Sequence, residues 1–373
     1  MIAPEDDFLG DLYQLYLSTM GFSIFIFFIG LLLVSYLVSQ LVKPLKKITQ
    51  DITRIKNFDL TGNSLVPSRV SEINAISDTV QAMKIGLRAF QKYVPAMLVK
   101  QLIKLGVDAH IGGEKRKLVI FFSDIQNFTS LSENEDPEQL SQHLCDYLSL
   151  LSDIILDEKG TIDKYIGDSV MAFWGAPIKY RSESRLAVNA ALRCKKKLNE
   201  LNKKWKQENK PIFMTCMGIH KGYAIVGNIG SNDRMNYTVI GDAVNHASRL
   251  EGVNRHYGTQ ILVSRTIYDE LKNQFYFRFI DRVHLRGRVE LEDIYEVLAA
   301  TREEIPFDLE RYTENFEAGF LCYKNQTWSD AVGFFKACIV FYPEDTVAPV
   351  FIARCEVFII NPPGEAWKGT FDA

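Results

Sequence analysis

A run without any charged side chain, from Leu12 to Val42, is the feature that most limits how this chain can fold. Its centre, Met20 to Val38, is almost wholly apolar. A helix of roughly 20 residues, rising 1.5 Å per residue, crosses a hydrocarbon layer of about 30 Å, whereas a helix inside a soluble protein rarely stays uncharged on every face. We therefore predict one transmembrane helix over residues 17–42, with a central core helix as the alternative.

The charges on either side of this run predict its orientation. Acidic side chains precede the run, which argues against a signal peptide, and mostly basic side chains follow it. These charges are Glu5, Asp6, Asp7 and Asp11, then Lys43, Lys46, Lys47, Arg54 and Lys56. The positive-inside rule predicts a single-pass protein of the inner (plasma) membrane with everything after residue 42 in the cytoplasm. Residues 1–16 then lie outside and are too few for a sensor domain, so we expect the chain to be part of a longer receptor.

Net charge and cysteine spacing exclude two classes of function. The chain of 373 residues has a formal net charge of −3, while a general nucleic-acid binder normally has a basic excess, so we expect no nucleic-acid partner. The cysteines form no C-x-x-C pair and have no histidines at zinc-site spacing. We predict reduced, mostly buried thiols at Cys145, Cys194, Cys216, Cys322, Cys338 and Cys355.

Two apolar seams that step by three and four residues follow the charge-free run, as in helices of coiled coils. The first seam is Leu41, Leu45, Ile48, Ile52 and Ile55, and the second is Ile73, Ile76, Val80, Met83, Leu87 and Phe90. Between them, Asn57 to Pro67 is rich in turn-forming residues, which predicts helix, connector, helix over residues 43–92. This pattern resembles a HAMP linker, and the resemblance implies a parallel four-helix bundle formed by two chains. A helical hairpin that packs on its own domain is the alternative.

Two carboxylates then follow predicted strands. The apolar run Leu118 to Phe122 predicts a buried strand that ends at Asp124, and Thr161 to Trp174 predicts a hairpin with Asp168 at its tip. Mg²⁺ prefers hard oxygen ligands and shares its other positions with substrate phosphates. The pair therefore suits a magnesium site, although a helix N-cap at Asp124 and a plain turn at Asp168 remain open from the residues alone.

A third segment joins a strand to a helix that carries a polar pair. Asn236 to Ile240 predicts a strand, and a Gly-Asp turn then leads into the helix. On that helix Asn245 and Arg249 are four residues apart, so their side chains project from one face. A solvated polar face is the alternative for such a pair.

Taken together, the three segments resemble the class III adenylate cyclase catalytic domain. The motifs F-S-D-I-x-x-F-T, D-K-x-x-G-D-x-x-M-A-F-W and Y-T-V-I-G-D-x-V-N-x-A-S-R occur in order between Tyr93 and Val297. The resemblance implies an α+β, ferredoxin-like catalytic domain over residues 93–304. It also implies conversion of ATP to cyclic AMP and pyrophosphate in head-to-tail homodimers with shared sites.

The resemblance also implies roles for individual residues. Asp124 and Asp168, with the carbonyl of Ile125, would hold two Mg²⁺ or Mn²⁺ ions. Asn245 would orient the ribose and Arg249 would stabilise the reacting phosphate. Lys164 and Thr238 stand where the family reads the purine, and guanylate cyclases have Glu and Cys there instead. Either Arg286 or Arg288 replaces the lysine that the family usually places on the triphosphate.

Three other functions are weighed against this one. A guanylate cyclase and a non-catalytic membrane switch with a cyclase fold remain as alternatives. A diguanylate cyclase is excluded because its G-G-D/E-E-F motif is missing, and Gly112-Gly113-Glu114-Lys115 precedes a strand instead of forming a hairpin tip.

The last segment, residues 305–373, is outside the cyclase resemblance. Tyr312 to Pro343 predicts a helical hairpin like one tetratricopeptide repeat. One repeat cannot bury both its faces, so we expect it to pack on the catalytic domain or on the second chain of the dimer, with a separate partner-binding role as the alternative. The tail Asn361 to Ala373 predicts nothing specific.

Overall fold

The computed structural model describes residues 5–62, 66–91, 110–133, 135–231, 233–284, 291–364, 367 and 369–372. The chain divides into two units, Met1–Ala109 and His110–Ala373.

The first unit begins with an uninterrupted helical stretch. It consists of α1 (Glu5–Leu37), a π-helical turn (Val38–Val42) and α2 (Lys43–Lys56). Within it, Leu12–Lys56 has a mean hydropathy of 2.5 over its best window and is long and apolar enough to cross a membrane. The helix continues past residue 42, where the predicted span ends, from the π-helical turn directly into α2.

The π-helical turn lies next to Pro44. Proline has no N–H to donate to the carbonyl four residues earlier, which here belongs to Gln40. A wider turn relieves the clash at such a position. The hydroxyl of Ser68 lies 3.5 Å from the Gln40 carbonyl oxygen, which is longer than a normal hydrogen bond between two oxygens.

Helix α3 (Ser71–Gln91) follows a connector, as the seams predict. The facing side chains of α2, the connector and α3 form one apolar cluster, made of Ile48, Ile55, Phe58, Leu60, Ile73 and Val80. Six other residues of the two seams are exposed, namely Leu41, Leu45, Ile52, Ile76, Met83 and Phe90. The predicted order of helix, connector and helix is confirmed, while the four-helix bundle of two chains stays a prediction.

The second unit is built on a nine-stranded sheet with helices on both faces. The strands are β1 (Gly112–Ile125), β2 (Thr161–Ile166), β3 (Ser169–Trp174), β4 (Thr215–Gly230), β5 (Met235–Ile240), β6 (Ile261–Ser264), β7 (Tyr276–His284), β8 (Leu291–Ala299) and β9 (Phe371–Asp372). Their order is β2-β3-β1-β4-β6-β8-β7-β9, and β5 pairs with β4. The helices are α4 (Phe128–Ser132), α5 (Pro137–Asp157), α6 (Glu183–Gln207), α7 (Asp242–Tyr257), α8 (Arg265–Leu271), α9 (Leu309–Lys324), α10 (Trp328–Phe341) and α11 (Val347–Ile360), with a 3₁₀ turn at Arg302–Glu304.

The first part of this unit runs β1, α5, β2, β3, α6, β4, with the strands side by side as β2-β3-β1-β4. This is the ferredoxin-like arrangement expected from the resemblance, within an α+β fold. From Leu118 onwards, strand β1 is buried on both faces, because its side chains alternate between two cores. Val119 and Phe121 pack with Trp174 on one face, whereas Leu118 and Ile120 pack on the other. Gly112 to Lys115 lie at the start of this strand and not before it, and they form no hairpin tip.

Helix α7 packs tightly on β4 where the strand has Gly218. A β-carbon at that position would lie 2.3 Å from the backbone nitrogen of Glu251, so any larger residue would push the helix away from the sheet. This close approach sets the distance between α7 and β4, the strand that pairs with β1.

The C-terminal helices share a core with the sheet. Ile280, Val283 and Ile294 from β7 and β8 pack in one cluster with Phe316 and Phe351 from α9 and α11. Packing of the predicted hairpin on the catalytic domain is therefore confirmed. The sequence analysis did not predict the third helix, α11, or the pairing of β9 with β7. All six cysteines are free and four of them are buried, as predicted.

Two buried ion-pair networks also join these helices to the sheet. Arg278 on β7 donates to Glu296 at 2.7 Å and to Asp345 at 2.6 Å, and Tyr312 donates to Asp345 at 2.9 Å. In the second network, Arg354 on α11 donates to Asp281 on β7 at 2.7 Å. Removing one member would leave a buried charge without its partner.

We expect Asp345→Ala to lower the free energy of unfolding by about 3–5 kcal/mol, because Arg278 stays buried with half of its counter-charge gone. All the tryptophans, at positions 174, 205, 328 and 367, lie in the second unit, so urea unfolding followed by tryptophan fluorescence measures this unit. The control is Lys197→Ala, which breaks an exposed pair with Glu200 and should cost less than about 1 kcal/mol. Equal losses for the two variants would contradict the prediction.

Candidate active site

Asp124 and Asp168 lie next to each other at one end of the sheet. Asp124 is close to the end of β1, and Asp168 is in the turn between β2 and β3, where β3 pairs with β1. The carboxylate of Asp168 accepts a hydrogen bond from the backbone nitrogen of Ile125 at 3.0 Å. The Ser169 hydroxyl donates to Asp124. Strand pairing thus brings together the two carboxylates that the sequence placed at separate strand ends.

A third carboxylate near this pair was missed. Glu251 on α7 is 8% exposed, and burial together with the charge of Asp124 raises its pKa to about 8, against the opposing charge of Arg255. Arg255, one turn further along α7, donates to the carboxylate of Asp124. Periodicity gave no signal for this contact, because at about 100° per residue Glu251 and Arg255 lie on a different face from Asn245 and Arg249.

Lys164 and Thr238 also come together, on β2 and β5. The Lys164 ammonium donates to the Thr238 hydroxyl oxygen at 3.1 Å. The side chain of Lys164 is 44% exposed, which leaves the ammonium open to a ligand. The predicted purine-reading pair is therefore one contiguous polar site.

Asp163 is a further residue that the sequence analysis missed at this site. Its carboxylate accepts hydrogen bonds from the Thr238 hydroxyl at 2.7 Å and from the Val239 backbone nitrogen at 3.0 Å, and it pairs with Lys164 at 3.1 Å. Regular alternation along a strand would point Asp163 and Lys164 to opposite faces. The β2–β3 register shifts between Ile162 and Lys164, and this irregularity lets both side chains reach Thr238.

The remaining predicted residues lie elsewhere. Asn245 is exposed and Arg249 is half-buried on α7, and neither side chain has a hydrogen bond or ion pair to another residue among those that the structure describes. Arg286 and Arg288 fall outside the described residues. One chain therefore brings Asp124 and Asp168 together, and it brings Lys164 and Thr238 together. Asn245 and Arg249 on α7 make no hydrogen bond or ion pair with either group within the described part of the chain.

Comparison with known proteins decides the family. Residues 113–298 match the adenylate and guanylate cyclase catalytic domain, and they include both carboxylates and the whole of α7. This part of the chain belongs to the class III cyclase family. Among solved structures, a bacterial light-regulated adenylyl cyclase superposes on the chain with a TM-score of 0.55 at 28% identity, over 64% of this chain and 68% of that one.

Two relatives extend the similarity beyond the cyclase domain. The chain is 33% identical over 303 residues to adenylate cyclase 1 of Rhizobium meliloti (strain 1021), covering 80% of this chain and 45% of that protein. It is 31% identical over 291 residues to an adenylate cyclase of Anabaena cylindrica, covering 73% of this chain and 57% of that protein. The chain thus spans about half the length of these relatives.

The carboxylates of the cyclase domain fit a divalent cation. Burial and the neighbouring charge of Asp124 raise the pKa of Asp168 to about 6, because two negative groups in one place repel each other. A cation between them would remove that repulsion, and the available donors are all oxygens. Asp124, Asp168 and the Ile125 carbonyl are the groups that would hold such ions.

We expect the affinity of the cyclase domain for Mn²⁺ to rise with pH by about tenfold per unit well below pH 6 and more slowly between pH 6 and 7, because the ion and a proton compete for Asp168. Below its raised pKa the carboxyl carries a proton that the metal must displace. Calorimetric titration of the metal-free protein at several pH values measures this effect. Asp168→Asn is the control, in which this rise should be lost, and an affinity that stays flat between pH 5 and 7 in the unaltered protein would contradict the prediction.

A second cluster of side chains of the kind that bind metal ions lies between α7 and the sheet of the cyclase domain. His220 on β4, His246 on α7 and Glu292 on β8 each offer one ligand atom within 4.8 Å of the others. The two imidazole rings are stacked, with centroids 3.8 Å apart and planes 5° from parallel. One ion cannot lie in both of two parallel ring planes, and His246 already pairs with Glu292. This cluster is therefore a packing contact between α7 and the sheet.

Proposed function

We propose that the protein is a membrane-anchored adenylate cyclase that converts ATP to 3′,5′-cyclic AMP and pyrophosphate. The observation that carries the proposal is the Lys164–Thr238 contact of 3.1 Å within a cyclase domain. An ammonium donor suits the N1 acceptor of adenine, and a hydroxyl oxygen suits its amino group. The two relatives compared above, which are named adenylate cyclases, support the same substrate.

In this proposal the side chains act by positioning and by electrostatics. Lys164 and Thr238 hold the base, and Asn245 orients the ribose so that its 3′-oxygen lies in line with the α-phosphorus. The 3′-hydroxyl loses its proton to water and its oxygen forms a bond to that phosphorus, while the bond from the phosphorus to the α–β bridging oxygen breaks and releases pyrophosphate. Arg249 stabilises the charge that develops on the α-phosphate oxygens.

Two Mg²⁺ or Mn²⁺ ions are the proposed cofactors. When bound by Asp124, Asp168 and the Ile125 carbonyl, they would make the 3′-hydroxyl more acidic and neutralise charge on the phosphates. Arg286 or Arg288 is proposed to contact the triphosphate, since arginine keeps the charge of the usual lysine.

We further propose that the active site is shared between two chains arranged head to tail. The two faces of α7 support this arrangement. The face with Glu251 and Arg255 turns towards Asp124 of its own chain, whereas Asn245 and Arg249 have no partner among the described residues. Asp124 and Asp168 would come from one chain, and Lys164, Thr238, Asn245 and Arg249 from the other.

The first unit is proposed to anchor and regulate this dimer. The helix spanning the membrane over residues 17–42 would continue into a HAMP-like linker over residues 43–92, with the catalytic domain (93–304) and the helical segment (305–373) in the cytoplasm. The exposed Leu45, Ile52, Ile76 and Met83 support a bundle with a second chain, because each apolar seam is only half covered. A rotation within such a bundle could separate the two halves of a shared site.

An activity assay tests the proposal directly. The full chain in detergent is incubated with Mg²⁺ or Mn²⁺ and with either ATP or GTP, and the cyclic product is identified. Cyclic AMP from ATP, absent in Asp124→Ala, is the expected result. Cyclic GMP from GTP alone would assign a guanylate cyclase, and no product from either nucleotide would leave a non-catalytic switch.

A further inference from the structure

We infer that Asp163 makes the site selective for a 6-aminopurine by fixing the direction of the Thr238 hydroxyl hydrogen. The inference rests on the proposed function, because it assumes that Lys164 and Thr238 face the base. It assigns Asp163 a positioning role, since its carboxylate acts through Thr238.

Both carboxylate oxygens of Asp163 lie next to N–H groups and accept hydrogen bonds from them. Its side chain is 1% exposed. One carboxylate oxygen receives the Lys164 ammonium at 3.1 Å, and the other receives the Val239 backbone N–H at 3.0 Å. Both oxygens therefore act as acceptors, as those of an ionised carboxylate do.

The direction of the Thr238 hydroxyl hydrogen follows from this. A threonine hydroxyl has one hydrogen to donate and two lone pairs. The Thr238 oxygen lies 2.7 Å and 2.9 Å from the two oxygens of Asp163, which can only accept. It also lies 3.1 Å from the Lys164 ammonium, which can only donate. The hydrogen therefore points at Asp163, and Thr238 offers only a lone pair to a ligand.

A site of this kind distinguishes purines at two positions. Adenine has an amino group that donates to the Thr238 lone pair and a ring N1 that accepts from Lys164. A 6-oxopurine has an oxygen at the first position and an N–H at the second, so acceptor meets acceptor and donor meets donor. A binding site rejects a ligand that leaves polar groups without partners more strongly than it rejects a ligand that lacks a methyl group.

Without Asp163, the Thr238 hydroxyl would lose this selectivity. A free hydroxyl rotates to donate to an oxygen or accept from an amino group, so it tolerates either base. Asp163 thus makes Thr238 selective for an amino group on the base. The irregular pairing of β2 beside Lys164 brings the Asp163 carboxylate to the Thr238 hydroxyl.

The test uses Asp163→Ala and the binding of two nucleotides that cannot cyclise, 3′-deoxy-ATP and 3′-deoxy-ITP, whose bases differ at the 6-position and N1. Alanine removes both acceptor oxygens, so the Thr238 hydroxyl hydrogen is free to point at a ligand. We expect the preference for 3′-deoxy-ATP, measured by calorimetry on the full chain, to fall about 10- to 100-fold. Asp157→Asn, which removes a 63% exposed carboxylate on α5, is the charge control and should keep the preference.

A second background separates positioning from a general structural effect. In Thr238→Val there is no hydroxyl to orient, so adding Asp163→Ala should change the preference no further. An unchanged preference in Asp163→Ala, or an equal fall in the Thr238→Val background, would overturn the inference. Because binding is measured without turnover, a protein that prefers 3′-deoxy-ATP yet makes no cyclic AMP would refute the proposed function and leave the inference standing.

Discussion

Arg249→Ala is expected to lower kcat about a hundredfold to a thousandfold, which is the usual cost of losing one preorganised donor to the charge of a transition state. The KM for ATP should change much less, because the charge on the reacting phosphate grows mainly as the new bond forms. Initial rates of cyclic AMP formation over a range of ATP concentrations measure both constants.

Arg249→Lys is the matched variant for this prediction. Lysine keeps the positive charge but loses the planar fork of donors, so kcat should recover only partly. A loss smaller than tenfold in Arg249→Ala would remove Arg249 from the proposed mechanism. A large rise in KM at unchanged kcat would assign it to binding alone.

Co-expression of Asp124→Ala with Arg249→Ala is expected to restore activity that each variant lacks alone. In a head-to-tail dimer of one copy of each, one site contains both lesions and the other contains none. Random pairing makes half of the dimers mixed, so about a quarter of the activity of the unaltered protein should return. Cyclic AMP formation by the purified mixture, corrected for each parent, gives this fraction.

The matched control pairs two lesions from the same half of the site. Mixed dimers of Asp124→Ala with Asp168→Ala have one damaged carboxylate in each site and should stay inactive. If the first mixture were as inactive as this control, each chain would contain its own complete site, and the proposed roles of Asn245 and Arg249 in the partner's site would be wrong.

Local patterns predicted the part of the candidate site that depends on single elements. The apolar run before Asp124 and the tight turn at Asp168 are signals within a few residues, and strand pairing then brings the two ends together. Asn245 and Arg249 were likewise found from their spacing on one helix. The structure has these elements where the sequence predicts them.

The missed residues depend on contacts between elements. Glu251 reaches the carboxylates only because α7 approaches β4 closely at Gly218, which no periodicity in α7 reveals. Asp163 reaches Thr238 because of an irregularity in the pairing of β2, and alternation along the strand would have excluded it.

The third C-terminal helix, α11, was missed for another reason. Its sequence is apolar on nearly every side, and its N-cap residue, Thr346, makes no side-chain capping bond. Such a run has no 3.6-residue pattern to detect, and the repeat-like pattern of the predicted hairpin ends before it, at Pro343. Only packing against the sheet defines α11 as a helix with one buried face.

The core that α9 and α11 share with β7 and β8 makes the cyclase domain inseparable from the helices on its C-terminal side. A version of the chain cut near residue 300 would expose Ile280, Val283 and Ile294 to water, and it would remove Asp345 from Arg278 and Arg354 from Asp281. Such a fragment should aggregate, and it should not fold as an independent domain when it is fused to another receptor. Any fusion protein that includes this cyclase domain therefore has to include its C-terminal helices.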